Sequence, residues 1–480
     1  MATSERVPLH VLRLLLRPAM ALRSWLAGHE RVAFWLQVLR LGLFQFGMGL
    51  SLAPLVGTLN RVLIDELRIP AGAVGFLIAI HYFVSPVRAL IGYESDRKRA
   101  AGRWRTPYIV LGAMLTYGGL ATAPFSLIVL GTSSLPFWLG MVICTLIFTL
   151  YGIGVNIVET TYLALVGDIT PQRQRGQVLA VLWMLLVLGT VVSSIVVGSI
   201  LVEYSHMALI RVMQGSAVLF IGLTLISLVG REKMRPDGTL INVNETVQVR
   251  MSLGESLRTL WNQPLLRALF GVLFVATLAF STHDVLLEPY GGQVLQMSVS
   301  ATTQLTALWG VAMIAAIVVA GALLFRGRSP VLPILLGVVV GGLGFLTISL
   351  AGQFMQVGFF RFGVMLIGAG RGMFIVGSIA LVMSLADGAH TGLFVGLWGV
   401  MQALAQGFGT IGGGFARDAA QHSFGNVAVG YLSVYATSFG LLVLTLLFIL
   451  ALRLGRQIDA GAIRSPWSSL QDLPADQLIS

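Results

Sequence analysis

His283, Asp284 and Glu288 stand close together in a chain of 480 residues with only 20 acids. An imidazole and two carboxyls this near one another can exchange protons, pair with a cation or anchor a polar partner. They open the stretch HDVLLEPYGGQVLQMSVSATTQLTALWG, residues 283–310, at the point where a long apolar segment reaches one face of a membrane. An ionisable group is costly in hydrocarbon, so its first reading there is functional. His81, Glu159 and Arg371 also lie inside apolar runs. A neutral imidazole at position 81 can bond a neighbouring helix or ligate a metal. Glu159 shares a polar stripe with Asn156 and Thr160. A Glu159–Arg371 ion pair is conceivable, although their depths along their helices differ by roughly 10 Å at the helical rise.

Two loops carry salt-bridge chemistry. In GYESDRKRAAGRWR, residues 92–105, Gly92, Asp96 and Arg97 form a candidate latch, because Asp96 can pair with cations and accept backbone N–H groups at a helix end. In VGDITPQRQRG, residues 166–176, Asp168 ends one apolar segment, and Arg173 and Arg175 approach the next. That arrangement serves a gate or a simple helix cap equally well. There is no phosphate-binding glycine loop of Walker type, no zinc spacing and no nucleophile elbow. These absences argue against an ATP-driven transporter, a metal site and an enzyme. Cys144, the single cysteine, reads as a small buried apolar residue.

The elements that must position these residues are membrane helices. The chain is 56% hydrophobic and 11% charged, with a mean hydropathy of +0.86, which is the composition of an all-α polytopic membrane protein. About twelve segments approach the ~20 apolar residues a bilayer requires. They fall near 34–59, 72–92, 107–130, 136–164, 176–202 and 208–229, then 265–287, 301–325, 331–352, 359–386, 391–415 and 428–452. Basic residues crowd alternate loops: Arg97 to Arg105, Arg173 and Arg175, Arg231 to Arg258, Arg326 and Arg328, and Arg453 to Arg464. By the positive-inside rule these loops and both termini are cytoplasmic. The net charge of +11 is therefore topological and lipid-directed, and does not indicate nucleic acid.

The organisation reads as residues 1–33, an amphipathic surface segment; 34–229, a first six-helix half; 230–264, a linker; 265–452, a second half; and 453–480, a polar tail. Within the linker, Ser252 and Glu255 have capping-box spacing, and Leu253, Leu257, Leu260 and Trp261 share a helical face. A weak repeat links the halves: ALVGD (164–168), Trp183 and Gly189 in one, SLAD (384–387), Trp398 and Gly409 in the other. Pseudo-symmetric six-helix halves are the mark of the major facilitator architecture. Small residues four apart, such as Gly49/Ala53, Gly189/Ser193, Gly337/Gly341, Gly368/Gly372 and Gly392/Gly396, would allow close helix contacts.

Several segments carry a more specific likeness. They are LRLGLFQ (39–45), GTLNRVLIDE (57–66) with Asn60 and Arg61, PVRALIGYESD (86–96), and DVLLEPYGG (284–292) with Asp284, Glu288, Pro289, Tyr290, Gly291 and Gly292. TALWG (306–310) with Trp309, and GLWG (396–399) with Trp398 and the nearby Gln402, complete the set. Together they resemble the PucC/LhaA group, the bacteriochlorophyll-delivery branch of the major facilitator superfamily. The resemblance implies a non-enzymatic assembly factor in the bacterial inner or intracytoplasmic photosynthetic membrane. Its partners would be bacteriochlorophyll, light-harvesting antenna polypeptides and the reaction centre–antenna core complex, with the core antenna favoured over the peripheral one. His81 and His283 are then candidate pigment ligands. The alternative is a major facilitator solute–proton symporter using Glu159, Asp284 or Glu288. Pro289 and Gly291–Gly292 are expected to break the seventh helix and turn the chain at a periplasmic corner.

Overall fold

A computed structural model describes residues 29–85, 88, 91, 105–131, 135–170, 174–230, 263–385 and 391–452. The surface segment near the start, the Gly92–Asp96–Arg97 latch, the linker helix and the tail lie outside the described residues. The described chain is a bundle of helices. α1 is Glu30–Leu52, prolonged by π-helical turns Ala53–Leu59 and Val62–Glu66; α2 is Ala71–Phe83; α3 is Thr106–Thr122, continued by a 3-10 turn into Ser126–Gly131. α4 (Phe137–Ile169), α5 (Arg175–Ile200) and α6 (His206–Leu228) complete the first half. The second half holds α7a (Pro264–Ser281), α7b (Leu287–Gln293), α8 (Val299–Phe325), α9 (Val331–Phe354), α10 (Val357–Leu385), α11 (Thr391–Phe424) and α12 (Val427–Ala451). Ten of these rods are long and apolar enough to cross a membrane. α2 is apolar but shorter within the described residues, and α11 is long but carries Arg417 and Asp418. The protein is a multi-pass membrane protein built of helices.

Local chemistry sets the element ends. Ser205, Ser298 and Asn426 cap α6, α8 and α12, their side-chain oxygens accepting from Ala208 N–H (3.1 Å), Ala301 N–H (3.3 Å) and Ala428 N–H (2.8 Å). Pro54 has no N–H to give the carbonyl of Leu50, so α1 widens into π turns there. The freed Leu50 carbonyl accepts instead from the Ser193 hydroxyl of α5 at 2.7 Å.

The seventh helix departs from expectation. Pro289, Gly291 and Gly292 do not end it; all three lie within α7b. The break comes earlier, at residues 282–286. Pro289 occupies the first turn of α7b, where a missing N–H is harmless. What it removes is the bond that would have tied Val285 into a continuous helix. The chain turns only after Gln293, reaching the left-handed region at Gln296 (φ 51°).

Glycines bring backbones together. Gly49 of α1 sits on the Leu186 carbonyl of α5, and Gly189 of α5 sits on the Phe46 carbonyl of α1. Gly370 of α10 fits against Gly337 and Gly341 of α9. Gly368 and Gly372 seat α10 on the Trp309 and Met313 carbonyls of α8. Gly396 meets no neighbour within 4 Å among the described residues, and the surroundings of Gly392 lie outside the described set. A Cβ at Gly370 would stand 2.6 Å from the Gly337 carbonyl oxygen. Gly370→Val is therefore expected to cost about 1–3 kcal/mol by overpacking. In thermal unfolding of the detergent-solubilised protein it should lower the midpoint, while Gly396→Val should leave it nearly unchanged.

Candidate functional site

Polar groups gather at three levels of the bundle. In the first half, Arg88, beyond the end of α2, pairs with Glu159 of α4 at 2.7 Å. Its Nε also donates to the Asn156 side-chain oxygen. Asn156 in turn donates to the His81 carbonyl (2.9 Å) and the Gly152 carbonyl (2.7 Å). In the sequence His81 and Arg88 are seven residues apart, the spacing of one face of an uninterrupted helix. His81 Nδ1 donates to the Ile78 carbonyl at 2.7 Å, which leaves the lone pair on Nε2. Nε2 has no hydrogen-bond partner among the described residues. The His81 ring lies on Tyr82, with ring centroids 3.8 Å apart.

In the second half, Arg371 of α10 pairs with Asp284 at 2.7 Å and donates to the Phe280 carbonyl at 3.3 Å. Its guanidinium stands 5.8 Å from the centre of the Trp309 ring. Tyr82 lies within electrostatic reach of both the Arg88–Glu159 and Arg371–Asp284 pairs, which puts it between the halves. The Glu159–Arg371 pair conceived from sequence does not form: each has a partner in its own half. Trp398 Nε1 donates to the Ser378 hydroxyl at 3.2 Å, and Gln402 is buried.

The third level is a seam between the halves, at the face of the loops that follow α1, α7 and α11. Arg61 is 3% exposed. It donates to the Met297 carbonyl across the seam at 3.0 Å and pairs with Asp65 (3.1 Å) and Glu66 (3.6 Å). Asn60 donates to the Val56 carbonyl one turn back. Gln293 donates to the Ile64 carbonyl (3.1 Å) and accepts from Arg417 (2.6 Å) and the Tyr431 hydroxyl (2.8 Å). Asp418 accepts from Arg417 (2.9 Å) and from the Gly72 N–H of α2 (2.8 Å). Thr58 and Thr303 share a hydrogen bond at 3.0 Å. The absent Cβ of Gly57 makes room for the Glu288 carboxyl, and that of Gly292 makes room for Asp65 and Arg61. Tyr290 donates to the Ile348 carbonyl at 3.2 Å and packs on Phe360, Tyr431 and Tyr435. Beside the seam a cavity of about 480 Å³ opens among Arg68, Pro70, Gln293, Asp418 and His422.

The 283–288 cluster expected from sequence is thus divided. Asp284 faces Arg371, Glu288 enters the seam, and His283 is 2% exposed with its ring edge-on to Phe345. Glu288, also 3% exposed, does not stand at a wet corner. His283 is enclosed with its Nδ1 buried, whereas half-buried His81 keeps Nε2 available. Among the described residues no group of three or more His, Cys, Asp or Glu could hold a metal ion. Asp168 is held by Arg105 at 3.1 Å, a contact between the start of α3 and the end of α4; the side chain of Arg175 lies outside the described set. Sequence reading missed the roles of Arg105 and Gln293, at helix ends, and of Arg417 and Asp418, inside α11. A double-mutant cycle on Arg371 and Asp284 should show coupling on the order of 1–3 kcal/mol, and one on Glu159 and Arg371 close to none. The measurement is chemical unfolding of the purified single and double variants.

A family profile described as PUCC protein matches residues 58–457. The chain is 38% identical over 391 residues to Protein PucC of Rhodovulum sulfidophilum, covering 80% of this chain and 85% of that one. It is 29% identical over 442 residues to the Bacteriochlorophyll synthase 44.5 kDa chain of Rhodobacter capsulatus, covering 90% and 98%. Among solved structures, a mutant of the nucleoside transporter NupG superposes with a TM-score of 0.65 at 14% identity, over 86% of this chain and 99% of that one. The last likeness establishes the fold, and the first two the lineage: the chain belongs to the PucC protein family.

Proposed function

We propose that this protein is a non-enzymatic assembly factor for bacterial light-harvesting antenna complexes. It holds or delivers bacteriochlorophyll and chaperones antenna polypeptides as they enter the membrane, serving the core antenna around the reaction centre ahead of the peripheral one. It works in the inner or intracytoplasmic photosynthetic membrane with both termini cytoplasmic, as the basic loops indicate. The family match over residues 58–457 carries the reading. A relative that bears the name of a bacteriochlorophyll synthase chain supports a link to that pigment.

The polar groups around His81 suit such a cargo. Bacteriochlorophyll would supply a magnesium ion that can take a nitrogen ligand, and carbonyls that can accept hydrogen bonds. His81, with Nδ1–H committed to Ile78, offers Nε2 to the metal. Arg88 and Tyr82, next to His81, are donors suited to carbonyls. The solute–proton symporter is the second reading. Glu159 and Asp284 are held by arginines and serve it poorly, and Glu288 is its remaining candidate.

A deletion strain, assayed for each antenna complex separately by absorption, should lose most of its core antenna. Tagged protein from the native host should carry bacteriochlorophyll absorption, and His81→Leu should remove most of it at equal protein yield. Normal antenna levels after deletion, with a colourless protein that moves a small solute into vesicles, would overturn the reading in favour of the symporter.

A further inference from the structure

Glu288 is a buried carboxyl with no cation bonded to it among the described residues, and it sits between the halves. Oε1 accepts from the Thr306 hydroxyl at 2.9 Å, and Oε2 has no partner among the described residues. The cation within electrostatic reach is Arg61. That guanidinium already serves Asp65, Glu66 and the Met297 carbonyl. Were Glu288 ionised, three carboxylates would share one buried arginine. Of the elements packed on α7b, α11 brings Arg417, which is bonded to Gln293 at the far end of α7b and paired with Asp418; α12 brings the phenols of Tyr431 and Tyr435, and α8 brings the hydroxyls of Thr303 and Thr306. Within the seventh helix, His283 is enclosed against Phe345, and Asp284 belongs to Arg371. An unpaired carboxylate in such a place is far more costly than a neutral carboxylic acid.

The carboxyl is also placed to sense the seam. Its Oε1 lies where a Cβ of Gly57 would be, so the wall that keeps water from it is α1 of the other half. The bonds closing that wall, Arg61 to Met297, Gln293 to Ile64 and Thr58 to Thr303, all cross between halves.

We propose that Glu288 is a proton-binding site that couples closure of this seam to pH: the closed seam holds the proton, and parting of α1 from α7b and α8 lets water in and releases it. The closed state then binds one proton more than the open state. Lowering pH favours closure, and raising pH favours opening, by up to about tenfold in the closed-to-open ratio per pH unit. The inference does not depend on what the protein carries.

The test uses full-length protein in nanodiscs with spin labels at Glu203→Cys and Ser423→Cys, on exposed parts of opposite halves. The buried Cys144 is replaced by alanine. Inter-label distances are followed between roughly pH 5 and pH 9. The expected result is a long-distance population that grows with pH in this background and is lost at all pH values in Glu288→Gln. A distance distribution independent of pH, or a Glu288→Gln variant that still follows pH, overturns the proposal. Infrared spectroscopy keeps it falsifiable if Glu288→Gln fails to fold. The wild-type protein at neutral pH should show a protonated carboxyl band, and Gly57→Leu, which wedges the seam apart, should lose it. A missing band in the wild type, or a band unchanged by the wedge, overturns the proposal as well.

Discussion

A charge inside a bilayer is tolerated only where the chain supplies its partner, because lipid offers none. This constraint organises the protein. Arg88 with Glu159 and Arg371 with Asp284 satisfy it by pairing within one half. Each half can therefore move as a body without exposing a lone charge to hydrocarbon. Had Glu159 paired with Arg371, any separation of the halves would have broken a desolvated ion pair, and the two would have been pinned together. The internal pairing leaves inter-half contact to bonds that are weaker singly, such as Arg61 to a carbonyl, Gln293 to a carbonyl and threonine to threonine.

The glycines make those contacts possible. α2 and α11 approach so closely that a Cβ at Gly75 would stand 2.9 Å from the Thr410 carbonyl oxygen, and one at Gly407 equally near the Phe83 ring. On the opposite side of the seam, Gly198 lets α5 approach Gln304 of α8. Association in lipid depends on such packing, since apolar surfaces gain little by leaving an apolar solvent. The π turns of α1 belong to the same design. By widening at Pro54, the helix presents Gly57, Thr58 and Arg61 to the other half, while Ser193 satisfies the carbonyl that the proline leaves behind.

The sequence makes the helices and the two halves legible, because hydropathy, loop charge and capping residues are local properties. It also exposes the ionisable residues, since a histidine or acid in an apolar run is conspicuous. It does not expose their partners. Glu159 and Arg371 were each visible, but helical periodicity fixes a residue's face on its own helix, not the rotation of that helix against another. Arg88 could have been found from its seven-residue spacing to His81. Gln293 could not, because an uncharged side chain after two glycines gives no hint that it bridges Ile64, Arg417 and Tyr431. Pro289 misled in another way. A proline disrupts the turn before it, so the break belonged at 282–286 rather than at the proline itself.

That displaced break decides what the 283–288 cluster can do. A helix continuous through Leu287 and ending at Pro289 would have left Glu288 near the lipid–water boundary, where ionisation is cheap and a carboxylate is unremarkable. With the break at 282–286, α7b starts anew, in a direction set by the turn and not by α7a. Asp284 falls in the turn and meets Arg371, while Glu288 is carried over Gly57 and Gln293 reaches Ile64. One proline thus separates two carboxyls four residues apart into different environments, one paired with an arginine and one with none bonded to it. The paired carboxyl keeps its arginine through any movement of the halves, because both belong to one half. The other is sheltered only while Gly57 stays in place, so the state of the seam and the state of that carboxyl are tied together.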